Sequence, residues 1–286
     1  MLHFFPVVRE GVRLFNRNSG FTNAAAISFY AFFSLIPVLF LITAGVGFVL
    51  GANPDLQART IGMARKSLPY ISQRIIEDLI ELSGNWKTFG WIGLLSLISG
   101  AELVTGAAVS ALTSIFGTSD RFGFLRTRAV GLFMIMLAIV AALSSIAVTA
   151  LSFVLEGREI SFLGLGFVYD ILVITVFRFI VPFLMVSSVV AMVYRVLGGP
   201  NLDFRHAFFG SILFTIMWEA AKQLFAFYVA NFESYNRFYG SLGTLMILLM
   251  WIFYSVSIFL FSASVARAAF RDSRHGNGPE GEEGLQ

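Results

Sequence analysis

The chain has 286 residues, 57% of them hydrophobic and 13% charged, with a mean hydropathy of +0.80. Soluble domains carry about 25% charged residues, so this is the composition of an integral membrane protein. No cysteine is present, which excludes disulfides, thiolate metal sites and cysteine nucleophiles, and the net charge of +3 matters less for its size than for where it is placed.

Taken in order, the elements predict an all-α, polytopic membrane protein. A single domain over 1–270 holds six transmembrane helices, an in-plane N-terminal amphipathic helix and a periplasmic helical hairpin. Over 1–20, Phe5, Val8, Val12 and Phe15 recur at helical spacing, with Arg9, Arg13 and Arg17 every fourth residue. Such a helix lies in the plane of the inner leaflet or docks as a cap under the bundle. Span one covers 27–50 and contains Pro37, which removes a backbone hydrogen bond and predicts a kink. The segment 52–87 turns amphipathic, with Ile71, Ile75, Leu79 and Leu82 on one side, and reads as two short helices outside the membrane.

Span two, 89–112, follows the interface aromatics Trp86 and Trp91 and carries Glu102. Arg121, Arg126 and Arg128 mark a cytoplasmic loop before the uncharged span three, 129–155. Span four, 169–197, holds Arg178 and a second kinking proline, Pro182. Span five, 207–230, contains Glu219 and Lys222, and span six, 242–266, has no charge. The tail over 271–286 is Gly-rich and acidic and is expected to be disordered. Lys and Arg concentrate before span one, in the 121–128 loop, at Arg195 and Arg205, and after span six, whereas the short loops opposite carry only Arg158 and Arg237. The hairpin, with five basic residues, dilutes this bias; the rest of the pattern puts both termini in the cytoplasm.

Several stretches resemble the YihY/BrkB family of bacterial inner-membrane proteins, once labelled ribonuclease BN. They are Ala24 to Pro37, the Pro182 helix ending in Tyr194-Arg195, Trp218-Glu219 with Lys222, Phe225 and Tyr228, then Tyr235 with Tyr239-Gly240-Ser241-Leu242, and Trp251. The resemblance covers nearly the whole chain and implies six helices, an in-plane N-terminal helix, a cytoplasmic-membrane location and a transport role without a settled substrate. Members often carry an acidic residue near the end of the last helix, where this chain reads Ser262-Ala263-Ser264.

Four ionisable residues are predicted at depth within spans: Glu102, Arg178, Glu219 and Lys222. An ionised side chain at the centre of a span costs about 2.5–3.5 kcal/mol on insertion scales, so such groups face one another or a watery cavity. Two readings follow. In one, buried ion pairs lock spans two, four and five into a non-transporting envelope scaffold. In the other, a polar cavity near the midplane lets Arg178 and Lys222 meet an anionic lipid or solute while Glu219 and Glu102 orient them. Phosphodiester cleavage would require clustered carboxylate or His ligands beside a broad basic face. His3, His206 and His275 are scattered, and Asp120, Asp203 and Asp272 are isolated. The expectation is therefore a membrane permease rather than an enzyme, with no cofactor, metal or nucleic-acid partner. Arg9, Arg13, Arg17, Arg121, Arg126 and Arg128 are expected to hold anionic lipid headgroups, making membrane lipids its partners.

Overall fold

The computed structural model describes residues 4–51, 86–118, 128–137, 180–231 and 233–276, and every regular element among them is helical. In chain order these are α1 (Phe4–Arg17), α2 (Gly20–Phe33), α3 (Leu35–Gly51), α4 (Trp86–Phe116), α5 (Arg128–Leu137), α6 (Val181–Gly198), a 3₁₀ turn (Gly199–Asn201), α7 (Phe204–Asn231) and α8 (Glu233–Gly276). Five helical stretches are long and apolar enough to cross a membrane: Gly20–Gly45, Trp86–Phe116, Val181–Asn201, Phe204–Val229 and Leu245–Arg274. They correspond to expected spans one, two, four, five and six. Span three is represented by the apolar helix α5. The rest of it lies outside the described residues, as do Arg121, Arg126, Arg178 and residues 52–85 of the expected 52–87 hairpin, whose last two residues instead open α4.

Two boundaries differ most from the sequence reading. The first apolar helix starts at Gly20 rather than near residue 27, because Gly20 and the Ala24-Ala25-Ala26 run continue the helix directly out of a tight corner. The last helix runs on to Gly276, six residues into the expected disordered tail, since Ala268 and Ala269 favour helix and the arginines near its end suit the negative end of its dipole. At 44 residues α8 is about 66 Å long, roughly twice the ~30 Å hydrocarbon core.

The chain divides into two compact units, Met1–Ser28 with Thr105–Gln286, and Phe29–Val104. In the larger unit, α8 is the central rod. Helix α7 packs against it and against α6, and α1 packs along its C-terminal half. The α7–α8 contact is close because Gly210 has no side chain. A Cβ there would come within 2.5 Å of Ala266 Cβ and 3.0 Å of the Ser262 carbonyl. Ser262, Ala263 and Ser264, where relatives often carry an acid, are fully buried in this region. Tyr194 of α6 is also fully buried and donates a hydrogen bond to the Phe259 carbonyl at 2.6 Å, tying α6 to α8.

Two polar corners close this unit. Between α1 and α2, Ser19 takes a positive φ of 52°. Asn18 donates to the Leu14 carbonyl at 2.7 Å, accepts from Ser114 of α4 at 3.0 Å, and offers its own carbonyl to Asn23 at 2.9 Å. At the other corner α4 ends in a left-handed Gly117 (φ 65°), with Thr118 N–H bonded to the Thr113 carbonyl and Gly117 N–H to Ser114, the Schellman pattern. Asn201 donates from its amide to the Phe116 and Gly117 carbonyls at 3.2 and 3.0 Å, and its backbone carbonyl accepts from Arg267 of α8.

In the smaller unit the expected kink at Pro37 is a helix break. Helix α2 ends at Phe33 and α3 begins at Leu35, with Pro37 in its first turn, where a missing N–H costs nothing. Ser34 bridges the break, donating from its hydroxyl to the Tyr30 carbonyl at 2.8 Å. Pro182 is the second residue of α6, and Ile180, which precedes the helix, already has helical backbone angles; the stretch of expected span four before Ile180 lies outside the described residues.

Candidate polar site on α7

Helix α7 presents one continuous packed face: Ala207, Ser211, Phe214, Trp218, Phe225 and Tyr228 recur at spacings of three, four and seven. Its opposite side, with Ile216, Leu224 and Phe227, is exposed and apolar, as a lipid-facing surface should be. Lys222 is one turn beyond Trp218 and one turn before Phe225, so it belongs to the packed face. Glu219 sits at that face's edge.

The two charges meet within the helix. Lys222 Nζ is 2.6 Å from Glu219 Oε2, and the side chains are 39% and 51% exposed respectively. The ammonium also lies 4.8 Å from the centroid of the Trp218 ring, where the ring's quadrupole attracts a cation. Trp218 is held in turn by a stacked Phe214 at 6.0 Å and by its indole N–H, which donates to Ser255 Oγ of α8 at 3.3 Å. One turn further on, Phe225 packs on Trp251 at 4.6 Å. The lysine is thus bracketed by two aromatic contacts that fix α7 on α8.

Towards the start of the helix, Ser211 and Thr215 continue the line that leads to Glu219, each four residues apart. Thr215 shares a hydrogen bond with Ser187 of α6 at 2.9 Å and donates to the Ser211 carbonyl at 2.9 Å. All three hydroxyl residues are almost fully buried. A polar seam therefore runs along α7, closed at Ser187, Ser211 and Thr215 and open at Glu219 and Lys222. Sequence reading missed the hydroxyls, because serine and threonine are ordinary helix-packing residues in membranes and only spacing relative to Glu219 singles them out.

The other expected site residues are elsewhere. Glu102 is an exposed residue of α4 in the smaller unit, and Arg178 lies outside the described residues. The smaller unit has an apolar groove of about 560 Å³ between α3 and α4, lined by Leu41, Phe48, Trp86, Lys87 and Trp91 among others, which includes none of the expected pathway residues. Among the described residues, no three His, Asp or Glu side chains gather where they could hold a metal ion.

The family described as virulence factor BrkB matches residues 12–284. The chain belongs to the BrkB family. It is 24% identical over 269 residues to a UPF0761 membrane protein of Pseudoalteromonas atlantica, covering 92% of this chain and 86% of that one. A UPF0761 membrane protein of Alteromonas mediterranea is 30% identical over 197 residues, 68% of this chain and 64% of the relative. The ribonuclease-like protein YfkH of Bacillus subtilis is 23% identical over 261 residues, covering 88% and 92%. No solved structure matches this BrkB-family chain. The expected all-helical membrane architecture and family resemblance thus hold, and the protein is a multi-span membrane protein of the UPF0761/BrkB type.

Proposed function

We propose that this BrkB-family protein is a permease of the bacterial inner membrane, moving an anionic lipid or another anionic solute past the polar seam of α7. The observation that carries this reading is the placement and form of the Glu219–Lys222 pair. The span Phe204–Val229 has its midpoint between Ile216 and Met217, so Glu219 and Lys222 lie about 4 and 8 Å along the axis from it. Charges at that depth need polar company. Their mutual contact is within one helix, so it ties α7 to nothing, which weakens a purely locking role. Both side chains keep accessible surface, Lys222 on the packed face and Glu219 at its edge.

In this reading Lys222 is the anion-meeting group and Glu219 its partner in the empty state, releasing the ammonium when an anion arrives. Trp218 holds the lysine stem in place from one side, and Arg178 and Glu102 are further candidates along the path. The protein acts without cofactor or metal, with both termini in the cytoplasm. A nuclease role, suggested by the name of the Bacillus relative, would require converging metal ligands, and the described acids and histidines do not gather in that way.

The test is flux in reconstituted vesicles, using a headgroup-labelled phosphatidylglycerol and a small inorganic anion as probes. Wild type moves one of them, and Lys222→Met lowers its rate at least tenfold with an unchanged melting temperature in detergent. If the double variant Glu219→Leu/Lys222→Leu stays folded and transports as wild type does, the pair is not a pathway. A folded wild type that moves neither probe leaves a scaffold as the better description.

A further inference from the structure

We infer that α1 is a lipid-reading helix, gripping anionic phospholipid headgroups with Arg9, Arg13 and Arg17 while docked on α8. Three longitudinal faces of this one helix make the case. The first carries Val7, Gly11, Leu14 and Phe15, all buried, and packs on α8. Val7 and Leu14 share a cluster with Val265 and Ala268, and a Cβ on Gly11 would lie 2.6 Å from Val265 Cγ2 and 3.1 Å from its Cα. Phe15 meets Phe261 edge-on at 6.0 Å.

The second face, next around the helix, carries Phe5, Val8 and Val12. It has no packing partner in the cluster above, and Phe5 and Val12 are 85% and 43% exposed. Phe21, just past the corner, adds another exposed ring, 59% open. The third face carries Arg9, Arg13 and Arg17, all exposed, with Arg13 3.4 Å from Glu10.

A helix docked on a protein through one face needs only polar residues elsewhere. Here an uncovered apolar stripe lies directly beside three cations, the arrangement that settles at the boundary between acyl chains and phosphates. The occupant is therefore the anionic leaflet: acyl chains against Phe5 and Val12, phosphates against the arginines. Guanidinium suits that role because its fork matches phosphate oxygens. The seam on α7 plays no part in this inference, so it stands or falls separately from transport.

The absence of native cysteine makes Val12→Cys a unique labelling site. The full chain bearing a nitroxide at this position is reconstituted in phosphatidylcholine vesicles containing phosphatidylglycerol. Relaxation by membrane-soluble oxygen is expected to exceed relaxation by an aqueous nickel chelate. The reverse ratio, or protection from both agents as a second protein copy would give, overturns the inference. In parallel, native mass spectrometry compares bound phosphatidylglycerol with bound phosphatidylcholine. Each arginine near an anionic surface is worth about 1 kcal/mol, about fivefold in occupancy. The triple variant Arg9→Gln/Arg13→Gln/Arg17→Gln should therefore lose at least about fivefold of the phosphatidylglycerol preference. The substituted side chains are exposed and do not touch the α8 interface, and an unchanged melting temperature verifies it. Retention of the full preference in that folded variant refutes the inference.

Discussion

Gly20 shows how far a single side chain can be specified by its neighbours. A Cβ at this position would stand 2.3–2.6 Å from three atoms of the Phe15 ring. That ring is itself 4% exposed and held edge-on by Phe21 at 4.9 Å as well as by Phe261, so it has nowhere to turn. Gly20→Ala is expected to cost about 1–3 kcal/mol as an overpacked contact, read as a lowered melting temperature in detergent. Lys222 makes a complementary point. Its charge deep in an apolar run was evident from the sequence, but its position between Trp218 and Phe225 on the packed face follows from which side of α7 meets α8. The sequence reading also placed Phe15 on the same stripe as Phe5, Val8 and Val12. The structure splits that stripe, turning Phe15 towards α8 and leaving the others open, because a helix rotates to bury whichever face fits its partner most closely, and Gly11 permits the closest fit.

Among the helices, glycine separates contacts that define the packing from those that do not. Gly210 lets α7 approach α8 until a methyl group would strike both Ala266 and the Ser262 backbone, neither of which can swing aside. Gly45 of α3 has nothing within 4 Å of a built Cβ. Gly210→Ala should lower the melting temperature, whereas Gly45→Ala should hold or raise it, alanine being about 0.8–1.0 kcal/mol the better helix former. A drop of similar size in both would show that α7 and α8 are less closely apposed than described. The prolines tell a related story. Pro37 and Pro182 were expected as kinks inside spans; Pro182 is the second residue of α6, and Pro37 stands in the first turn of α3, after the break at Ser34. A proline at such a place breaks no hydrogen bond, and a sequence does not reveal where the chain elects to restart a helix.

At the level of the whole molecule, Asn201 joins elements that are far apart in the chain. Its amide reaches the end of α4 and its carbonyl receives Arg267 from α8. Asn201→Ala removes the donor from two carbonyls at the α4 terminus and is expected to cost about 1–3 kcal/mol. Amide exchange around Phe116 to Thr118 should rise with it, and unchanged protection there would mean that the Schellman turn alone holds this corner. Location in a membrane, helical class, family and the approximate position of most spans were all determined by the sequence, because hydropathy acts on each segment separately and hydrocarbon leaves the backbone few alternatives to helix. What only the tertiary structure decided was the orientation of each helix about its own axis: α1 divided into a packed face, an exposed apolar face and an exposed arginine face, the serines and threonine aligned with Glu219 and Lys222, and Gly210 set against Ala266. Those outcomes depend on the shapes of two surfaces fitting at once, and pairwise fit is not a property that either segment carries alone.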